Sequence, residues 1–329
     1  MANIVALGGG TGLSILLRGL KEISSNITAV VTVADDGGGS GVLREDLGML
    51  PPGDVRNCIL ALANTEPILQ DLFQYRFEEG RLKGQNFGNL MIAAMVGISD
   101  SFEEAIKKIS DIFAITGEVF PVSEEDIVLY AQLSDGTTVA GESNIPLQVV
   151  KRSTAIDKIW IEPKDARTYD LVPKRIESAD LIVLGPGSLY TSIIPNLLVE
   201  DVVNAINNCT APIFYITNIM TQPGETDGFS AAQHVEAILK HTHLRKIDFI
   251  VANNGRFSSE TIMRYEKESA QPVWLTQEDR MYLEKQNICV IEGDFVEEKK
   301  GYIRHNAKTI SRELLNHIEK VYQPSNENQ

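Results

Sequence analysis

The chain has 329 residues, 43% of them hydrophobic and 23% charged, a composition of ordinary globular proteins at a length that buries most of its surface without disulfide staples. Forty-five acidic residues against thirty Lys and Arg leave a net charge of −15, which excludes a chain built to coat nucleic acid or an anionic membrane, because such polyanions are repelled at long range. Binding of one small phosphate is not excluded, since that anion feels its local site more than the net charge. The three cysteines, Cys58, Cys209 and Cys289, form no CxxC pair, so a zinc ribbon or thioredoxin motif is excluded and a reducing cytoplasm is expected. The first residues lack the basic and apolar regions of a signal peptide. No apolar run approaches the roughly 18 residues of a membrane span.

In chain order, residues 4–7 predict a strand, followed by glycines and by a helix with apolar residues at Leu13, Leu16, Leu17, Leu20 and Ile23. Residues 28–33 are β-branched and end at Asp35-Asp36 and a glycine cluster, completing a βαβ opening. Residues 54–112 read as several helices, starting after Pro52-Gly53, at Glu66-Pro67, near Asn86 and at Asp100-Ser101. A β-rich insertion is expected over 118–170, with a hairpin around Asp135-Gly136 and a strand at 155–161. Short apolar strands resume at 181–184, 213–217 and 247–252, with helices at 229–240 and 306–322. The expectation is an α/β, Rossmann-like, doubly wound and mostly parallel sheet: a single domain over 1–322 carrying the small β-rich insertion, and a frayed tail at 323–329.

In such sheets ligands bind outside the carboxyl ends of the strands, where five motifs fall. Gly8-Gly9-Gly10-Thr11-Gly12-Leu13-Ser14 joins a strand to a helix. Its amides and dipole suit a phosphate, and the Thr11 and Ser14 hydroxyls can donate to it. It is neither a Walker A loop nor a complete GxGxxG. Asp35-Asp36, after the second strand, stand roughly 20 residues beyond the glycines, where an acid bonds a ribose hydroxyl; the pair could alternatively hold a divalent metal, and an Asp-Gly turn with a helix cap is the plain structural reading. Arg56 suits a phosphate or an acid, and Asn57 and Asn89 suit base or sugar recognition; Asp54 and Asn86 also suit simple helix caps. Gly185-Pro186-Gly187-Ser188 forms a second glycine loop after a strand, and two such loops can grip one diphosphate. Thr217 and Asn218 open a loop rich in amides and hydroxyls that suits a sugar or base. Elsewhere, His241-Thr242-His243 points its rings to different sides of a helix, and Lys299, Lys300 and Arg304 form a small basic spot. No resident metal site is expected.

Taken in order, GGGTGLS, TVADDGGGSGVLRED, PPGDVRN, FGNLMIAA, GPGSLYTSIIPNLLV and TNIMTQPGET resemble the YvcK group of bacterial gluconeogenesis factors, relatives of the 2-phospho-lactate transferase CofD, over about residues 3–320. The resemblance implies a cytoplasmic protein that binds a nucleotide sugar such as UDP-N-acetylglucosamine, self-associates, and acts in cell shape and in growth on gluconeogenic carbon. It also brings departures. The transferase branch carries a Lys where this chain has Ile15, a cation that would neutralise a transferring phosphate. The YvcK pattern has GGSSG at Gly38-Gly39-Ser40-Gly41 and His-Ser at Gln85-Asn86.

The resulting expectation is a non-catalytic nucleotide-sugar-binding regulator that acts through an unidentified protein partner. The ligand set is Gly9, Gly10, Thr11, Gly12, Asp35, Asp36, Asn57, Asn89, Gly185, Pro186, Gly187, Ser188, Thr217 and Asn218. No catalytic residue and no required cofactor are expected. The alternative is a CofD-like transferase of a phospholactyl or phosphoryl group, using Asp35, Asp36 and Arg56 with Mg2+ carried by the nucleotide. A nicotinamide-dependent oxidoreductase is a third reading, disfavoured by the incomplete glycine motif and by the lack of a His- or Lys-based acid.

Overall fold

A computed structural model describes residues 1–299 and 301–322; the expected tail at 323–329 and Lys300 lie outside the described residues. Seven parallel strands form the central sheet. They are β1 (Ile4–Gly8), β2 (Ile27–Val31) and β3 (Glu118–Pro121), and then, beyond the strands β4 (Val128–Leu133), β5 (Thr138–Ala140) and β6 (Ile156–Glu162) of a smaller sheet, β7 (Leu181–Leu184), β8 (Ile213–Ile216), β9 (Phe249–Asn253) and β10 (Cys289–Gly293). The central order is β10-β9-β8-β7-β1-β2-β3. Every residue of β1, β2, β7 and β8 is buried, as expected of a parallel sheet covered on both faces.

Alternation along β1 divides the core. Ile4 and Ala6 face Leu13, Leu16, Leu17 and Leu20 of helix α1 (Gly10–Leu20) and Leu314 of the helix Ala307–Tyr322. Val5 and Leu7 face the opposite layer, with Val202, Val235 and Ile238. The remaining helices up to the smaller sheet are α2 (Gly38–Leu47), α3 (Gly53–Leu62), α4 (Pro67–Gln74), α5 (Phe87–Gly97) and α6 (Phe102–Ile112).

Residues 118–170 are not uniformly β. They open with β3, the edge strand of the main sheet, where Pro121 pairs with Val31; an edge tolerates proline because one ladder donor can be missing there. The smaller antiparallel sheet follows in the order β5-β4-β6. Its hairpin turns at Asp135-Gly136, with Gly136 at a φ of +84°. Inserted before β6 is helix α7 (Asn144–Arg152). A further antiparallel ribbon, β11 (Val296–Lys299) and β12 (Tyr302–His305), precedes the last helix.

β1 has β2 on one side and β7 on the other. The sheet therefore grows one way through β2 and β3 and the other way from β7 onward. The crevice at this reversal is where doubly wound sheets place their ligands.

Candidate functional site

Loop 8–12 leaves β1 into α1. Loop 185–188 leaves β7 into a π-helical turn, Leu189–Ile193. Because β1 and β7 are neighbours, the loops touch: a Cβ on Gly12 would lie 2.4 Å from the Pro186 carbonyl oxygen and 3.0 Å from the Gly187 Cα. No side chain fits there without backbone movement. Gly10 and Gly185 take φ values of +62° and +82°, the left-handed region that glycine enters without strain.

The two loops floor a cleft of about 630 Å3, a size suited to a small-molecule ligand. Gly9, Gly10, Thr11, Gly12, Pro186, Gly187 and Ser188 line it, and Ile15, Asn218, Tyr265, Arg304 and His305 complete the wall. Ribbon β11–β12, which no sequence pattern announced, thus closes one side. Asn218 donates from Nδ2 to Gln222 Oε1 at 2.9 Å, while its own Oδ1 is buried without a partner. The side chain of Thr217 is otherwise engaged, donating from Oγ1 to the Val251 carbonyl at 3.2 Å. Its carbonyl accepts from His305 Nε2 at 3.0 Å. Burial pushes the His305 pKa down to about 4, so the ring is neutral at pH 7. Ser14, expected to face a phosphate, instead donates to the Thr11 carbonyl at 2.9 Å.

Asp35, Asp36, Arg56, Asn57 and Asn89 are absent from the cleft lining. They gather around the N-terminal ends of α2, α3 and α5, behind Gly9 and Gly10. A Cβ on Gly9 would lie 2.6 Å from Asp54 Oδ2, one on Gly53 would lie 3.1 Å from Asp35 Oδ2, and one on Gly88 would lie 2.7 Å from Arg56 Cδ. Arg56 Nη2 donates to Asn57 Oδ1 at 2.8 Å. Arg56 Nε, Gln85 Oε1 and Asn89 Oδ1 are buried without partners, an arrangement that calls for polar occupants. The adjacent acids turn to different neighbours: Asp35 Oδ1 accepts from Gly37 N at 3.0 Å, and Asp36 Oδ1 accepts from Ser143 N at 2.9 Å. No group of three or more metal-ligating side chains occurs among the described residues.

Three half-buried carboxylates edge the two loops. Burial, then the nearby Asp35, pushes Asp54 up to about 7 against the restraint of the Gly10 N–H and of Arg56. Burial pushes Glu142 to about 7, opposed by the Thr191 side chain beside it. Burial does the same to Glu225, opposed by the Ser188 hydroxyl and the Tyr190 amide. Asp54 had the signature of a helix cap and Glu225 sat inside a quoted loop, but nothing in the spacing singled out Glu142.

Residues 4–296 match the family model described as 2-phospho-L-lactate transferase CofD. The chain belongs to the CofD family. A Thermoanaerobacterium thermosulfurigenes protein is 53% identical over 96% of this chain and 97% of its own length. The gluconeogenesis factor of Halalkalibacterium halodurans is 45% identical over 95% of each chain. The crystal structure of a UPF0052 family member from Bacillus halodurans superposes with a TM-score of 0.91 at 44% identity, covering 96% of this chain and all of that one. Within the CofD family, then, this chain stands with proteins named gluconeogenesis factors. Ile15, at the position where the resemblance to the transferase branch implies a Lys, lines the cleft. No helix among the described residues is long and apolar enough to cross a membrane.

Proposed function

We propose that this CofD-family protein binds a nucleotide sugar, UDP-N-acetylglucosamine or a close relative, as a regulatory ligand that it does not turn over. The observation that carries the reading is the pair of glycine loops in contact at the sheet's switch point, with a cleft of about 630 Å3 above them. The diphosphate lies across Thr11, Gly12, Gly187 and Ser188, held by backbone amides and helix N-termini. Asn218 reads the base or sugar with its free Oδ1. The sugar extends past Gly9 and Gly10 toward Asp35 and Asn89. Ile15 in place of a cation favours binding over transfer. The physiological role that fits this ligand is control of cell-wall precursor supply, and with it cell shape, during growth on gluconeogenic carbon. Calorimetric titration with UDP-N-acetylglucosamine tests the reading, together with thermal shifts, because a ligand that binds the folded state raises the melting temperature. Saturable binding with intact ligand recovered supports it. No binding at millimolar concentration overturns it.

A second reading, transfer of a phosphorylated group, is favoured by the match to the CofD model and by the electrostatic cluster of Asp35, Asp54 and Arg56, of which Asp54 lies against Gly9. Turnover of a nucleotide-linked donor with Mg2+, abolished in Asp35→Asn, would establish it over the first.

A further inference from the structure

Loop 185–188 is not simply an open set of donors. Ser188 Oγ donates its one proton to Glu225 Oε2. It accepts from Thr191 N at 3.1 Å and from Thr191 Oγ1 at 2.6 Å. Glu225 Oε2 also accepts from Tyr190 N at 3.3 Å. A hydroxyl has one proton and two lone pairs, so Ser188 is saturated: while Glu225 is ionised, its hydroxyl has nothing left to offer an anion in the cleft it lines. The other end of this chain is Glu142, which lies within reach of the Thr191 side chain and is the alternative acceptor for the single Thr191 proton now given to Ser188. Two hydroxyls, Ser188 and Thr191, thus stand between two carboxylates.

We propose that this chain of Glu225, Ser188, Thr191 and Glu142 is a proton-coupled donor switch, in which binding of a diphosphate draws one proton from solvent onto Glu225 and turns Ser188 into a donor to the ligand. The inference rests on the reading above that a diphosphate occupies the cleft. On protonation, the Glu225 hydroxyl donates to Ser188 Oγ. Thr191 Oγ1 then turns its proton from Ser188 to Glu142, and the Ser188 proton is free to point into the cleft. One negative charge beside the phosphates is also removed. The charges facing Glu225 favour this uptake. Asp227, on its own loop, and Glu142, from the segment before α7, are both acids, and Tyr190 of the π-helical turn contributes an amide and a ring whose hydroxyl stays neutral, its pKa pushed up to about 12. Burial already holds Glu225 at about 7, so the uptake falls in an accessible pH range. Part of the positive character that a net-acidic chain needs at an anion site would then come from solvent protons.

The test is calorimetric titration of the full chain with UDP-N-acetylglucosamine. Its diester diphosphate keeps constant charge in this range, unlike a terminal phosphate, which titrates at about 6. Titrations at about pH 7.5 in two buffers of different ionisation enthalpy should show uptake of most of one proton, and affinity should weaken about tenfold per pH unit above about pH 8. In Glu225→Gln, the amide donates to Ser188 as the protonated acid would, so binding should lose both the uptake and the pH slope. Ser188→Ala, which keeps the acid, should also flatten the slope, by losing affinity on the acidic side. PH-independent affinity with no buffer-dependent heat in the unmodified chain overturns the inference without need of a variant. A full pH slope retained in Glu225→Gln also overturns it. Absence of binding at every pH overturns the nucleotide-sugar reading itself, a distinct result.

Discussion

The two glycine loops are alike in position and unlike in construction. Both leave parallel strands at the switch point, and each lies against a carboxylate of the protein itself: Asp54 accepts from Gly10 N in the first, and Glu225 accepts from Ser188 and Tyr190 in the second. Loop 8–12 is nearly pure backbone. It opens an α-helix with no side-chain cap, and its neighbour Asp54 is steered by Asp35 and Arg56. Loop 185–188 routes its interactions through hydroxyls and opens a π-helical turn capped by Ser188. In this chain each loop has donors engaged by an internal carboxylate, and the two loops differ in whether that carboxylate meets an amide alone or also a hydroxyl relay.

The largest expected effect comes from forcing the loops apart. Gly12→Ala puts a methyl group 2.4 Å from the Pro186 carbonyl, so it should destabilise the fold by about 1–3 kcal/mol and abolish detectable nucleotide-sugar binding. Gly187→Ala meets its nearest atom at 3.4 Å and should leave the melting temperature nearly unchanged. Equal losses in the two variants would break the claim that contact at Gly12 sets the geometry.

Next comes the pH dependence of the ligand-free chain. Asp54, Glu142 and Glu225 each titrate near about 7 when folded, above their ordinary range of about 4. Between those values the folded chain holds more protons than the unfolded one. The stability they contribute is therefore complete below the ordinary range and is lost as pH rises through about 7. Melting should occur at a lower temperature at pH 8 than at pH 6, and Asp54→Asn or Glu225→Gln should shrink the difference. A melting temperature that climbs over this interval would contradict the assignment.

The smallest effect concerns the cleft wall at Ile15. Ile15→Lys adds a cation to the loop 8–12 side of the cleft and should tighten nucleotide-sugar binding by a few-fold at low salt, an advantage that salt removes. Unchanged affinity in dilute buffer would show that Ile15 does not face the phosphates.

Much of this architecture was legible because its signals are local. β1, loop 8–12 and α1 could be read from a β-branched run, glycines and a helical period, and the hairpin at Asp135-Gly136 from its turn pair. β3 was not separated from the insertion, since a four-residue strand ending in Pro121 resembles a loop and its place is fixed by pairing with distant β2. α7, enclosed by strands, was hidden for a similar reason. The candidate site divides the same way. The glycines announced themselves, because their backbone demands are local. Asp54, Glu142 and Glu225 did not, because their shifted acidity arises from burial by segments remote in sequence. The hydrogen bond that Asp36 accepts from Ser143 was hidden for the same reason, since the two residues are far apart in the chain.

The central claim is that one diphosphate bridges the two loops, and a crystal structure of the complex with UDP-N-acetylglucosamine tests it most directly. The account predicts phosphate oxygens within hydrogen-bonding distance of backbone amides from both loop 8–12 and loop 185–188, with the Ser188 hydroxyl turned toward them. A nucleotide seated elsewhere, or phosphates held by only one loop, would contradict it.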